Sequence, residues 1–166
     1  LNIRTKDIAN FGQLYLQKGM WNGKQLLPTA WVQEATSMQT SNGSNPNSDW
    51  EQGYGYQFWR CRHNLYRGDG AFGQYCIVFP EQDAVLAITS GTSDMGAIMN
   101  IVWNKLLPAL QEKPIEENKS TFTALQSKLN SLTLSTVTGS ANSPRVKTIS
   151  DKSYSVQFNQ EGITNV

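Results

Sequence analysis

A glycine-rich segment in the middle of the chain is the stretch best suited to chemistry. It runs from Tyr66 to Tyr75 and contains three glycines within six residues, at Gly68, Gly70 and Gly73. Glycine at a strand edge costs conformational entropy, which makes sense where another molecule must approach the backbone closely. Backbone N–H groups exposed there can form an oxyanion hole for acyl transfer. The alternative is a hairpin with a bulge, in which glycine only relieves crowding, and residue types alone favour this alternative.

The sequence lacks the other groups from which catalysis is usually built. Its single histidine, His63, falls in a predicted hairpin turn without an evident partner. One histidine and two separated cysteines cannot complete a zinc site, and no phosphate-binding loop is present. Neither Ser-x-x-Lys nor Gly-x-Ser-x-Gly occurs, so this chain offers no recognisable nucleophile. We therefore expect no catalytic side chain, no metal and no cofactor in it.

Composition and charge exclude several classes of partner. The 166 residues include 14 basic and 13 acidic side chains, for a net charge of +1. Such a balance gives no electrostatic reason to expect nucleic acid or an anionic membrane surface. No apolar run approaches the ~20 residues that span a bilayer. The first residue is Leu1 without a signal segment, so we expect the sequence to begin inside a longer protein whose targeting signal lies upstream.

The two cysteines bear on the compartment. Cys61 and Cys76 fall on what we predict to be nearby strands, where pairing is conceivable, but two buried free thiols are the expected state. Free thiols weakly favour a reducing, cytoplasmic location, although the compartment stays undetermined from the sequence.

Helical spacing dominates the first part of the chain. Residues 5–18 are predicted to form a helix that Thr5 caps and Gly19 ends. A turn is predicted at 21–24, and a second helix over 29–38. The polar residues 39–53 are expected to form a surface loop.

From Tyr54 onward the hydrophobic pattern changes to one typical of β-strands. Strands are predicted over 54–61, 65–67, 74–79 and 84–90, with the turn at His63-Asn64 between the first two. The last two strands carry near-continuous apolar runs, which suits central strands buried on both faces. A helix over 94–107, capped by Ser93 or Asp94, would pack back on the sheet.

These elements predict an α+β fold, an antiparallel β-meander with flanking helices. The helix predicted over 94–107 covers one face of the sheet, and no other segment clearly covers the second face. We therefore expect an exposed apolar face, an open strand edge and self-association.

The chain is predicted to divide near residue 113. Residues 1–112 form the main domain and 113–119 a charged linker. Residues 120–166 are the start of a small β-rich accessory region, incomplete here. Its helix carries an apolar stripe, and its strands are predicted from the alternation at 154–158 and a return at Ile163. The stripe consists of Phe122, Leu125, Leu129 and Leu132.

The order of motifs over roughly residues 1–110 resembles the C-terminal part of the serine β-lactamase-related family, which includes penicillin-binding-protein-like enzymes, class C β-lactamases and related esterases. The matching pieces are 5–16 with Gly19, 21–24 with Leu27-Pro28, 54–59, and Gly70–Gln74 followed by Pro80 and Asp83-Ala84-Val85. The resemblance implies the C-terminal half of a β-lactamase/transpeptidase-like fold.

The resemblance also implies where a site would lie. The family's Ser-x-x-Lys and Tyr-x-Asn motifs would lie upstream of Leu1, in a missing N-terminal part that becomes the expected partner. Its third motif, Lys-Thr-Gly or His-x-Gly, matches Gly68–Ala71 to within one residue. Cleft-edge candidates are therefore Gly68, Asp69, Gly70, Ala71, Phe72 and Gly73, and substrate-contact candidates are Arg67 and Tyr66.

One departure from the family pattern affects the expected substrate. No Lys or His occupies the third motif, and Arg67 and Asp69 are its charged candidates. The missing cation argues against β-lactam hydrolysis and favours a divergent esterase or amidase. The N–H of Ala71 is carried over as one oxyanion donor.

Three interpretations of function stay open at this point. The first is a C-terminal segment of a serine hydrolase that supplies the cleft wall and lacks the nucleophile. The second is a non-catalytic binding module whose recognition surface combines loop 39–53 with Trp21, Trp31, Trp50 and Trp59. The third is a purely structural domain.

Overall fold

The computed structural model describes residues 3–133, 138–139, 142–157, 162–163 and 165. Two compact units divide the chain, residues 1–116 and 117–166. The boundary falls inside the segment predicted as a linker, while the assignment of the parts as domains stays a prediction.

The first unit is built on a four-stranded antiparallel sheet. Its strands are β3 (Trp59–Arg60), β4 (Tyr66–Gly70), β5 (Gln74–Phe79) and β6 (Ala84–Ile88), in the order β3-β4-β5-β6. The helices are α1 (Thr5–Leu16), α2 (Thr29–Thr36) and α3 (Met95–Ile101), and α3 continues through a π-helical turn, Val102–Leu106, and a 3₁₀ turn, Leu107–Ala109. The predicted α+β meander with flanking helices is confirmed.

Both faces of the sheet carry a hydrophobic core. On one face Tyr75, Ile77 and Phe79 pack with Met99 and Trp103 from α3 and its continuation. Alternate residues point to the other face, where Val78 packs with side chains of α1 and α2. The expectation of an uncovered apolar face is therefore wrong, because the N-terminal helices supply the second layer.

Strand β6 differs from its predicted place in the sheet. It lies at the edge, and all five of its residues are half-buried. A near-continuous apolar run is typical of a central strand, but here packing beneath α1 accounts for it, with Gly12 of α1 directly against Val85.

The predicted strand over 54–61 is a tight hairpin instead. Gly55 donates to the carbonyl of Phe58 at 2.7 Å, and Tyr54 pairs back with Trp59. A Cβ at Gly55 would lie 2.2 Å from the carbonyl oxygen of Ala35, so this glycine lets the chain pass closely over the end of α2. The chain therefore turns directly after Tyr54, and the predicted strand does not continue through residues 55–58.

The N-terminal elements largely match expectation. Helix α1 ends before Gly19, whose φ of +86° is the left-handed conformation of a glycine stop. The predicted turn is a hairpin between β1 (Met20–Trp21) and β2 (Lys24–Gln25), with positive φ at Asn22 and Gly23. The predicted Thr5 cap is wrong, because Arg4 occupies the cap position and the Thr5 hydroxyl contacts that of Thr89.

The second unit contains α4 (Lys119–Asn130), α5 (Val146–Ile149) and an isolated bridge between Ser155 and Asn165. The side chain of Asn118 caps α4 by accepting from Thr121 N–H at 3.0 Å. The predicted apolar stripe lies on α4 and beyond its end, and its side chains are exposed. Phe158 of the predicted strand lies outside the described residues. Within those residues, none of the helices has the length and apolarity that a membrane crossing requires.

Candidate active site

The candidate cleft residues lie on β4 and in the hairpin turn that follows it. Gly68, Asp69 and Gly70 belong to the strand and pair with β5, whereas Ala71, Phe72 and Gly73 form the turn. We call the first three residues the glycine edge. Phe72 is exposed and has a φ of +64°, and Gly73 has a φ of +82°. The hairpin alternative is therefore correct for the turn itself.

The outer side of the glycine edge is unpaired in the part of the chain described. Strand β3 pairs with β4 at Tyr66 and Arg67. Phe58, which precedes β3 and would lie opposite Gly68, instead accepts a hydrogen bond from the Gly55 N–H. Backbone groups of an antiparallel strand alternate between its two neighbours. Cys61 N–H donates to the carbonyl of Leu65, so Leu65 and Arg67 face β3. By the same alternation the N–H of Asp69 points to this open side.

Ala71 continues that alternation at the start of the turn. Neither the Asp69 nor the Ala71 N–H has a backbone acceptor on that side among the described residues. N–H groups two residues apart on one strand edge are about 7 Å apart and parallel, so one of them can supply a single donor of an oxyanion hole and the second donor must come from another segment.

Space around Gly68 distinguishes it from the neighbouring glycines. A Cβ built there would meet Cys76 Cβ at 3.8 Å, an ordinary van der Waals contact. At Gly73 a Cβ would instead lie 2.6 Å from Ile98 Cδ1. The left-handed φ of +82° therefore favours glycine at Gly73, whereas neither φ nor packing within the described residues requires it at Gly68.

Arg67 is fully buried in this structure. Its side chain is 0% exposed, and its guanidinium donates to Asp69 Oδ2 at 2.8 and 3.0 Å. It also donates to the Asp49 carbonyl at 2.9 Å and lies 5.1 Å from the centre of the Trp50 ring. Arg67 is therefore an internal ion-pair partner in this structure, and its contact with a substrate stays a prediction.

The protonation of this cluster follows from its contacts. Burial lowers the pKa of Arg67, but the neighbouring Cys61 and Asp69 more than offset it and leave the pKa raised, so the guanidinium stays charged. Burial raises the pKa of Cys61 to about 11, which keeps this thiol protonated near neutral pH. Cys76 is likewise a buried free thiol, on the opposite sheet face.

Tyr66 is also buried, at 5% exposure, and points to the sheet face that α1 and α2 cover. It does not share a surface with the outward donors of the glycine edge. His63 lies in a 3₁₀ turn with a φ of +60°, and its ring contacts Trp103 at 5.3 Å between centroids.

Asp49 is the functional neighbour that sequence reasoning missed. It is 4% exposed, accepts from Arg62 at 2.9 Å and accepts from Trp103 Nε1 at 2.8 Å. The Asp49 carbonyl accepts a hydrogen bond from the Arg67 guanidinium, and this bond attaches the loop 39–53 to β4. The signal available in the sequence was Trp50, an aromatic residue beside an acid in an otherwise polar loop.

Two of the four tryptophans proposed as a recognition surface pack inside the fold, and a third, Trp31, stays 45% exposed. Trp50 and Trp59 both lie against Arg67, and Trp31 contacts Tyr56 with ring centroids 5.4 Å apart. Within the described residues, no cluster of histidine, cysteine and acidic side chains could hold a metal ion.

Comparison with known proteins supports the fold. No family model and no curated protein matches the sequence. Among solved structures, the chain is similar to a protein described as “Putative 6-aminohexanoate-dimer hydrolase from Bacillus anthracis”, at a TM-score of 0.51 and 22% identity. The match covers 67% of this chain and 30% of that one, so this chain spans less than a third of its length. At this identity the likeness concerns the fold, which is an α+β meander with flanking helices, consistent with the C-terminal part of a β-lactamase-like fold.

Proposed function

We propose that this chain supplies one wall of the acyl-transfer cleft in a β-lactamase-related serine hydrolase that cleaves an acyl ester or amide. The observation that carries the proposal is the unpaired edge of β4, where the N–H groups of Asp69 and Ala71 point outward. The similar structure from Bacillus anthracis is described as a hydrolase, which supports the reaction class.

The glycine edge has a defined part in the proposed reaction. A serine from a Ser-x-x-Lys motif upstream of Leu1 attacks the substrate carbonyl, and the lysine accepts the serine proton. The carbonyl oxygen becomes an oxyanion that accepts one hydrogen bond from the Ala71 N–H group, and the upstream part of the enzyme supplies the second donor. Collapse of this intermediate releases the alcohol or amine with the proton, and water then hydrolyses the acyl-enzyme.

The charge of the cleft wall supports a neutral substrate at this position. The cation nearest in sequence to the glycine edge, Arg67, is buried and neutralised by Asp69. A substrate carboxylate beside the edge would therefore gain no free cation from β4. This favours a simple ester or amide over a β-lactam, whose carboxylate the family's third motif would hold.

Reconstitution tests the proposal directly. The chain would be assayed with a p-nitrophenyl ester and a fluorophosphonate probe, alone and joined to the segment that precedes Leu1 in its parent polypeptide. We expect no labelling of the chain alone, and ester hydrolysis with labelling of the upstream serine in the joined protein. An inactive, unlabelled but folded joined protein would contradict the proposal and favour a binding or structural domain.

A glycine substitution tests the edge itself. Gly68→Ala in the joined protein should lower kcat/KM by about tenfold or more, because a methyl group displaces the reacting carbonyl from the donors. Gly91→Ala is the matched control, since a Cβ there meets no atom within 4 Å and the one at Gly68 makes only an ordinary contact at 3.8 Å. Both variants should unfold at the wild-type urea concentration, and equal activity in both would show that the glycine edge does not face the substrate.

A further inference from the structure

A cavity of about 470 Å³ opens between α1, α2 and the beginning of β4. Its apolar walls include Leu16, Val32 and Met38, and its polar groups come from Tyr15, Tyr66, Lys18 and Arg60. We call it the tyrosine pocket. Mostly apolar walls with a few convergent polar groups, at this volume, are typical of a small-molecule site.

The two tyrosines of the pocket are largely buried as residues, but their hydroxyl oxygens stay accessible to solvent. Tyr15 is 9% exposed and Tyr66 is 5% exposed. Their hydroxyls form no hydrogen bond with any described residue, whereas the Tyr75 hydroxyl donates to the Met95 carbonyl. Two hydroxyls that line one cavity and have no protein partner can both donate to a ligand that supplies an acceptor. Burial raises the pKa of Tyr66, which keeps its hydroxyl available as a donor.

The charge of the pocket specifies the kind of acceptor. Arg60 donates to the Thr36 carbonyl at 3.1 Å and to Asn64 Oδ1 at 2.6 Å, both of them neutral groups. Neither Arg60 nor Lys18 forms an ion pair within the described part of the chain, and no acidic side chain lines the pocket. Glu81 contacts the amide of Asn64 and lies outside the lining. The pocket therefore offers two cations and no competing carboxylate.

We propose that the tyrosine pocket binds an aliphatic monocarboxylate. Its carboxylate accepts a hydrogen bond from the Tyr66 hydroxyl and faces Arg60 and Lys18, and its hydrocarbon chain lies against the apolar walls. This inference uses the fold of the first unit and does not depend on the acyl-transfer proposal.

Titration of the 166-residue chain with octanoate, followed by calorimetry and by amide NMR shifts, tests the inference. We expect saturable binding with shifts centred on the pocket. Octan-1-ol, which has the same tail without the charge, should bind at least tenfold more weakly. Tyr66→Phe should weaken octanoate binding by about tenfold, because a hydrogen bond to a charged group is lost. Tyr54→Phe is the matched control, since the Tyr54 hydroxyl lies outside the pocket.

Three results would each overturn the proposal. These are no saturable octanoate binding, equal affinity for octanoate and octan-1-ol, and unchanged affinity in a folded Tyr66→Phe variant. If Tyr66→Phe fails to fold, Lys18→Gln takes its place, because Lys18 lies on the surface and forms no described ion pair. Octanoate should then bind at least threefold more weakly, and an unchanged affinity would also overturn the proposal.

Discussion

At the scale of single residues, a buried charge network determines how β4 is held. Arg67 lies fully inside the first unit, bonded to Asp69 of the same strand and to the Asp49 carbonyl. Removing one member of a buried ion pair leaves the other charge unpaired, which costs far more than losing a surface pair. The network therefore makes the conformation of Asp69, and with it the direction of its N–H, a rigid feature.

The pH dependence of stability should report on Asp49. Burial raises the pKa of Asp49, but hydrogen bonds from Arg62 and Trp103 outweigh it and leave the pKa below its ordinary value of 3.8. A carboxyl whose folded-state pKa is lowered stabilises the fold above the unfolded-state pKa, and this stabilisation is lost as pH falls through the folded-state pKa.

We therefore expect Asp49→Asn to lower the free energy of unfolding by about 1.5–3 kcal/mol near neutral pH. The difference from wild type should shrink as pH falls below about 4. Urea denaturation at several pH values measures it, with the exposed Glu112→Gln as control. A difference that is constant across this range would show that the pKa of Asp49 is the same in the folded and unfolded states, which contradicts the lowered folded-state pKa.

At the scale of elements, the fit between α1 and the sheet depends on a glycine. A Cβ at Gly12 would lie 2.5 Å from Val85 Cγ1 and 2.7 Å from Cys76 Sγ. Gly96, near the start of α3, has its closest neighbour at 3.7 Å. Helix propensity favours alanine over glycine at both positions. A difference between the two alanine substitutions therefore reports the effect of packing.

Gly12→Ala and Gly96→Ala should consequently change stability in opposite directions. Overpacking against β5 and β6 should make Gly12→Ala destabilising by about 1–3 kcal/mol. Gly96→Ala should stabilise by up to about 1 kcal/mol, because the unfolded chain loses conformational freedom. Thermal or urea unfolding measures both, and a stabilising Gly12→Ala would mean that α1 does not pack closely on the sheet.

At the scale of the whole first unit, the feature that favours association with another chain is a strand edge and not an apolar face. Strand β6 has no further strand beside it among the described residues, and its side chains are apolar and half-buried. An apolar edge strand with free backbone groups is a site for pairing with another chain. In the proposed parent enzyme, the segment upstream of Leu1 is a natural candidate to cover this edge.

Association of the isolated chain should therefore proceed through β6. Light scattering should show a mass that rises with concentration. Cys76 pairs with both Gly68 and Ala87, and its backbone groups face β4, so the Ala87 N–H points to the open edge. Ala87→Pro removes that donor without breaking a ladder bond and should weaken association. A wild-type chain that stays monomeric at every concentration would contradict this prediction.

The sequence by itself determined the meander, the bounds of its central strand β5, the N-terminal helices and the turn at Asn22-Gly23. These follow from local periodicity and from glycines in left-handed conformations, which leave a direct signature in the chain. It also placed the glycine-rich segment at a strand edge, although it treated residues 68–73 as a single element.

Tertiary structure alone decided the rest. The hairpin at 54–59 depends on a close contact with the end of α2, and the second layer over the sheet depends on α1 packing from far away in sequence. The burial of Arg67 required Asp49 and Trp50 from a polar loop, and the tyrosine pocket combined residues from α1, α2, β3 and β4. Contacts between distant segments set these features, and no local pattern encodes them.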